Sequence, residues 1–208
     1  MAGNALRCMA KYLYDNHIVR KEEMTIETDK GTKTVRVYTT DGKVTSACVD
    51  MGYAALDTTA LHLNIPERQV VDYPVEIGGQ SWNITCVDMG NPHCVVFCPR
   101  VDGVDVARIG PQFEHARYFP DRINTEFIRV VNPSTIKMRV WERGSGETLA
   151  CGTGACAAVV AAVATGQCEK GRDITVRVRG GDLVVNYTDE KVTLTGDARL
   201  VYTGEVEY

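Results

Sequence analysis

Trp141-Glu142-Arg143-Gly144-Ser145-Gly146-Glu147-Thr148-Leu149-Ala150-Cys151-Gly152-Thr153-Gly154-Ala155-Cys156 opens an Ala-rich apolar run that continues to Ala164. The pattern predicts a helix from about Thr153 to Ala164, ended by Gly166 as the glycine just past its C-terminus. Cys151 then falls one or two residues before a helix N-terminus. Unpaired N–H groups and the helix dipole at such a place favour the thiolate, which is the reactive form of cysteine. The same N–H groups bind a carboxylate, and Gly152 and Gly154 let a ligand come close to the backbone. A base beside a carboxylate cradle suits removal of the α-proton of an amino acid, because hydrogen bonds to the carboxylate stabilise the carbanion or enediolate. On these residues alone, a small thiol packed in front of a helix is the competing reading.

Working outward, the run from Ala5 to Asn16 places Leu6, Met9, Ala10 and Leu13 at i, i+3, i+4, i+7 spacing, a second helix. A third helix is expected over Val104–His115. Short alternating runs read as strands at Met24–Thr28, Thr34–Thr40, Val44–Val49, Val70–Ile77, Trp82–Met89, Cys94–Cys98, Thr125–Val131 and Thr135–Trp141. Four more follow at Ile174–Arg179, Asp182–Tyr187, Lys191–Thr195 and Arg199–Val206. Turns such as Asp41-Gly42 separate them. The expected fold class is α+β, mostly antiparallel strands with few helices.

Ala2-Gly3-Asn4-Ala5-Leu6-Arg7-Cys8 echoes Cys151-Gly152-Thr153-Gly154-Ala155-Cys156, each placing Gly-Asn or Gly-Thr at the mouth of an apolar helix. Two common Gly-rich helix starts and a duplicated half-site both account for the match.

The 208 residues allow one large domain or two small ones and a hydrophobic core. A formal charge of −4 and the lack of Lys/Arg clusters argue against a nucleic-acid partner. No apolar run reaches the ~20 residues that span a bilayer, and the N-terminus lacks a signal-peptide layout. A cytoplasmic protein with no membrane association is expected. Eight cysteines raise the question of disulfides or zinc. There is no CxxC pair, and reduced thiols are expected. The tightest cluster is His93, Cys94 and Cys98, but side chains alternate along a strand, so His93 points away from the two cysteines. No metal site is expected.

The stretch 141–156 resembles the second-cysteine motif of diaminopimelate epimerase almost residue for residue. Gly90-Asn91-Pro92-His93 and Arg122-Ile123-Asn124-Thr125-Glu126-Phe127 resemble two further segments of that family. The opening Gly3-Asn4-Ala5-Leu6-Arg7-Cys8 resembles its first-cysteine motif, in which a cysteine directly precedes the Gly-Asn. The resemblance runs in order along essentially all 208 residues. It departs in two ways: the first catalytic cysteine is replaced by Ala2, and the family's opening segment of several dozen residues is missing. An alternative start, a truncated gene model or a deliberate deletion would each produce this.

The resemblance implies interconversion of LL- and meso-diaminopimelate without pyridoxal phosphate or metal, as a step toward lysine and peptidoglycan precursors. One cysteine thiolate removes the α-proton and the other thiol delivers a proton to the opposite face. Carried over, Cys151 is one of the pair and Ala2 marks the missing one. Gly3, Asn4, Gly152 and Thr153 would hold the α-carboxylate. Asn91, Asn124, Glu142 and Arg143 would contact the rest of the substrate, with Arg143 on the distal carboxylate. His93 and Glu142 would tune the thiols. Each has a plainer role: His93 as a strand-start residue, Asn91 and Asn124 as turn residues, Glu142-Arg143 as a solvated pair. The implied fold has two similar domains with the site between them, here 50–197 complete and 1–49 plus 198–208 as a remnant of the first. Tyr202 matches a homodimer-interface position. Proline racemase and phenazine-biosynthesis isomerase relatives share that fold, but Glu-Arg-Gly before Cys-Gly-Thr-Gly favours the diaminopimelate branch. A non-catalytic remnant and a Cys151/His93 hydrolase are readings from other classes, and no triad or oxyanion signature accompanies the second.

Overall fold

The Ala-rich run after Cys151 forms helix α3 (Gly152–Ala164), and every residue from Gly152 to Ala162 is buried. A helix that is apolar all round can only be an interior one. Its Gly, Ala, Cys, Thr and Val side chains are small enough for strands to close on it from several sides. Its end is chemically defined: Gly166 adopts φ +73°, and the N–H groups of Gly166 and Gln167 donate to the carbonyls of Val163 and Ala162 at 3.0 and 2.8 Å. This is a Schellman closure at the expected glycine.

The computed structural model describes residues 3–29 and 31–205. Around α3 run β1 (Glu23–Thr28), β2 (Gly31–Thr40), β3 (Lys43–Gly52), β4 (Tyr73–Ile77), β5 (Gln80–Asp88) and β6 (Pro92–Phe97). They continue as β7 (Asn124–Asn132), β8 (Thr135–Glu142), β9 (Gly146–Thr148), β10 (Asp173–Val178), β11 (Gly181–Tyr187) and β12 (Val192–Asp197). The strands join in one path, β1-β2-β3-β12-β11-β10-β8-β7-β6-β5-β4, with β9 attached to β8. Pairing is antiparallel except at β6/β7 and β8/β10. The fold is α+β, as the sequence pattern led us to expect.

Two apolar clusters fill it. One surrounds α3 and extends under helix α1 (Gly3–Asp15), taking in Val35, Val49, Ile174 and Leu194. The other packs helix α2 (Val106–Glu114) against β5 to β7, with Phe113, Phe127 and Trp82 edge to face. Two expectations need correction. The strand foreseen at Arg199–Val206 is not formed over its described residues, 199–205. Both flanks of β3 are already occupied, by β2 and β12, so that strand offers the segment no ladder. The three-residue β9, which follows the turn at Gly144, went unforeseen. The helix expected from Val104 begins at Val106 because the Asp105 side chain accepts from the Arg108 N–H and sets the cap there.

Candidate functional site

The N-terminal turns of α1 and α3 meet face to face. A methyl group built on Gly152 would lie 3.5 Å from Asn4 Oδ1 and 3.9 Å from Gly3 Cα. The same methyl on either Gly3 or Gly152 would press on Leu194 Cδ2 at 2.9 Å. A methyl group on Gly152 would be in ordinary contact with the opposite mouth, and at both glycines the tight neighbours are side-chain ends, Leu194 for both and Met51 for Gly3. The sequence echo is thus a spatial pairing, with Gly3-Asn4 opposite Gly152-Thr153. Asn91, in the turn between β5 and β6, joins them by donating from Nδ2 to Thr153 Oγ1 at 3.4 Å. The carboxamide oxygens of Asn4 and Asn91 are buried without a hydrogen-bond partner among the described residues. Buried acceptors are rarely left so. The position of Ala2, the expected site of the other thiol, lies outside the described residues.

Cys151 is the N-cap of α3, in extended conformation at φ −123°, ψ 114°. Its Sγ accepts from the Gly154 N–H at 3.4 Å and lies 3.5 Å from Thr153 Oγ1. The residue is only 7 % exposed. We had expected the helix terminus to lower its pKa; the opposite holds. Burial, and then the carboxylates of Glu126 and Glu142, push the thiol up to about 12, outweighing the bonds from Thr153 and Gly154. A helix terminus offers partial positive charge within one turn. Here it competes with desolvation and two nearby carboxylates. Both effects favour the protonated thiol over the thiolate.

His93 and Glu126 form the floor. They stand on the parallel neighbours β6 and β7, wholly buried, with His93 Nδ1 2.7 Å from Glu126 Oε1. Glu142 accepts a short hydrogen bond from the Thr148 hydroxyl across the β8–β9 hairpin. Asn124 uses its whole amide as a bracket, donating to the Pro92 carbonyl at 2.8 Å and accepting from the Arg143 N–H at 3.0 Å. Its role here is to hold the Arg143 turn to the start of β6. The exposed Arg143 guanidinium donates to the Asp121 carbonyl at 3.0 Å and has no carboxylate partner among the described residues.

Glu126 and Glu114 escaped the sequence reading. Buried Glu114 accepts from Trp141 Nε1 at 2.6 Å, from the Gly144 N–H at 2.9 Å and from Arg122 Nη1 at 3.2 Å. It fixes the turn that carries Glu142 and Arg143. The alternation Asn124, Glu126 along β7 was the available signal for Glu126, since both must share a face. Nothing local marked Glu114. His93 is separated from Cys94 by the strand alternation: Cys94 belongs to the α2 cluster, and its neighbour Val95 to the α3 cluster. All eight cysteines are free.

A mixed sheet wound round a small-residue helix whose mouth faces a second helix mouth is the fold of racemases and epimerases. It is similar to a probable proline racemase from Agrobacterium radiobacter K84, at TM-score 0.69 and 15 % identity over 95 % of this chain and 65 % of that one. It is likewise similar to a hydroxyproline epimerase from Agrobacterium vitis, at TM-score 0.68 and 14 % identity over 95 % and 63 %. At such identities only the fold is shared. The sequence goes further. The diaminopimelate epimerase family model matches residues 85–207. The chain is 46 % identical to the diaminopimelate epimerase of Desulfovibrio desulfuricans, covering 99 % of this chain and 74 % of that protein. It is 45 % identical to that of Pelotomaculum thermopropionicum, covering 100 % and 74 %. The chain belongs to the diaminopimelate epimerase family and is by family an isomerase. Among the described residues no helix is long and apolar enough to cross a membrane.

Proposed function

We propose that the protein is built to interconvert LL- and meso-diaminopimelate by proton transfer between two thiols, without cofactor, in lysine and peptidoglycan-precursor synthesis. The observation that supports this best is the meeting of the α1 and α3 termini at Gly3 and Gly152. Two convergent sets of free N–H groups suit one α-carboxylate and stabilise the enediolate that forms when the α-proton leaves. Cys151, on the α3 terminus, exchanges a proton with one face of the α-carbon, and a thiol at position 2 serves the other. The unpartnered oxygens of Asn4 and Asn91 suit the α-ammonium. The unpaired guanidinium of Arg143 suits the distal carboxylate. His93 and Glu142 set the charge around the thiols.

With Ala2 in place of a thiol, two-sided transfer fails, and the 208-residue chain is inactive. The remaining proposals follow the family: a cytoplasmic homodimer with Tyr202 at its interface, and a division into 50–197 and a partial domain of 1–49 with 198–208. Tyr202 is 82 % exposed, which leaves its ring open to a partner. The test compares this chain with a restored one that carries cysteine at position 2 and the family's preceding segment. Conversion of LL- to meso-diaminopimelate, with solvent deuterium entering at the α-carbon, is expected of the restored chain alone. In the restored chain, Cys151→Ser should lose most of it, and Cys156→Ser should keep it. Full turnover by the present chain, or by the restored Cys151→Ser variant, overturns the mechanism.

A further inference from the structure

We propose that Glu126 is a positioning residue of this site, fixing the His93 ring with its proton on Nδ1 and a lone pair on a buried Nε2 beside the α3 terminus. The inference rests on the epimerase reading for its purpose, and on geometry for its content. Glu126 Oε1 is wedged between two neighbours. It lies 2.7 Å from His93 Nδ1, and a methyl group on Gly154 would meet it at 2.5 Å. Gly154 therefore keeps the carboxylate directly beneath the turn whose N-cap is Cys151. His93, Glu126 and Glu142 are the ionisable side chains brought to this terminus from β6, β7 and β8. Arg7, on α1, donates from Nε to the Asp197 carbonyl at 3.2 Å and acts on Cys156 further along α3.

The tautomer follows from what each nitrogen can reach. Nδ1 has a carboxylate at bonding distance, so a proton there is paired. Among the described residues Nε2 is buried with no partner, so a proton there would lack an acceptor among them, which is costly. A carboxylate that orients an imidazole in this way acts through the ring and does not itself exchange protons with substrate. A second effect follows from the same placement. The Glu126 charge beneath the α3 mouth opposes formation of a second anion on Cys151, which holds that sulfur as the proton-bearing member of the pair.

The experiment uses the 208-residue chain with nitrogen-15-labelled histidine, because it needs no turnover. Long-range nitrogen–proton spectra at neutral pH, with His93 assigned by its loss in a His93→Gln variant, should show a protonated Nδ1 and an unprotonated Nε2. Protonation of Nε2 in the unmodified chain overturns the proposal whether or not any variant folds. Glu126→Leu, which removes both the acceptor and the charge, should release the fixed tautomer and raise the rate of Cys151 alkylation by iodoacetamide at pH 8 by about tenfold, equivalent to one pKa unit. An unchanged spectrum or rate in a folded Glu126→Leu protein overturns it as well. Failure of the restored chain to epimerise would sink the functional reading while leaving the tautomer result standing, so the two are separable.

Discussion

Cys151 shows how far a motif can carry a residue and where it stops. Its role as the N-cap of α3 was legible, because the apolar run and the Gly-Thr-Gly fix where the helix begins. Its acidity was not, because Glu126 and Glu142 reach it from other strands. With the thiol raised to about 12, alkylation of Cys151 in this chain should be slow at pH 7. It should climb about tenfold per pH unit through pH 8 to 11, the behaviour of a thiol that ionises only above that range. Mass spectrometry after timed iodoacetamide exposure measures this, and a plateau already reached at pH 8 would contradict it. Glu114 was illegible for a similar reason: its partner Trp141 lies 27 residues away. Burial pushes this carboxyl up, but the bonds from Trp141 and Gly144 and the charges of His115 and Arg122 leave its pKa below the ordinary value. A depressed folded-state pKa contributes stability that is present above the unfolded value and lost as pH falls through the folded one. Glu114→Gln should cost roughly 1–3 kcal/mol at pH 7. It should also flatten the acid limb of the stability curve below about pH 4.3, as read by urea unfolding at a series of pH values.

At the scale of elements, the strands of five or more residues were readable, edge strands β1 and β4 included, and the three-residue β9 was not. In β7 the burial runs unbroken from Asn124 to Ile128, as expected of a strand covered on both faces. Arg199–Val206 carries a strand-like alternation and yet no strand over its described residues, because a strand needs a neighbour to pair with and alternation alone does not name one. Helix α3 is the opposite case, specified by its own composition. Ala155, Ala157, Ala158, Ala161 and Ala162 are all buried without measurable exposure, so the sheet is fitted to methyl-sized residues. Ala158→Leu adds three carbons where none fit, and should cost roughly 1–3 kcal/mol through strained neighbours. A drop in the urea midpoint at unchanged slope would show it, whereas an unchanged midpoint would mean that the sheet around α3 is looser than described. The same fit explains why Gly110 in α2 admits no side chain: a methyl group there would lie 2.3 Å from the Trp141 ring.

For the molecule as a whole, the sheet is continuous from β1 to β4, while the outer face of α1 leaves Met9 and Tyr12 exposed, with Leu200, Val201 and Tyr202 exposed nearby in the chain order of the last segment. Apolar groups left in water favour association. We expect dimers or larger species in light scattering, and a broad calorimetric transition. A monodisperse monomer with one sharp transition would count against this. The overall class was legible because the motifs run in order along the whole chain. What could not be read was how the two helix mouths are spaced, and that spacing is set by a strand belonging to neither helix. Leu194, on β12, touches the space above both Gly3 and Gly152. One leucine methyl thus serves as a shared spacer: trimming or enlarging that side chain alters the room at both helix mouths together.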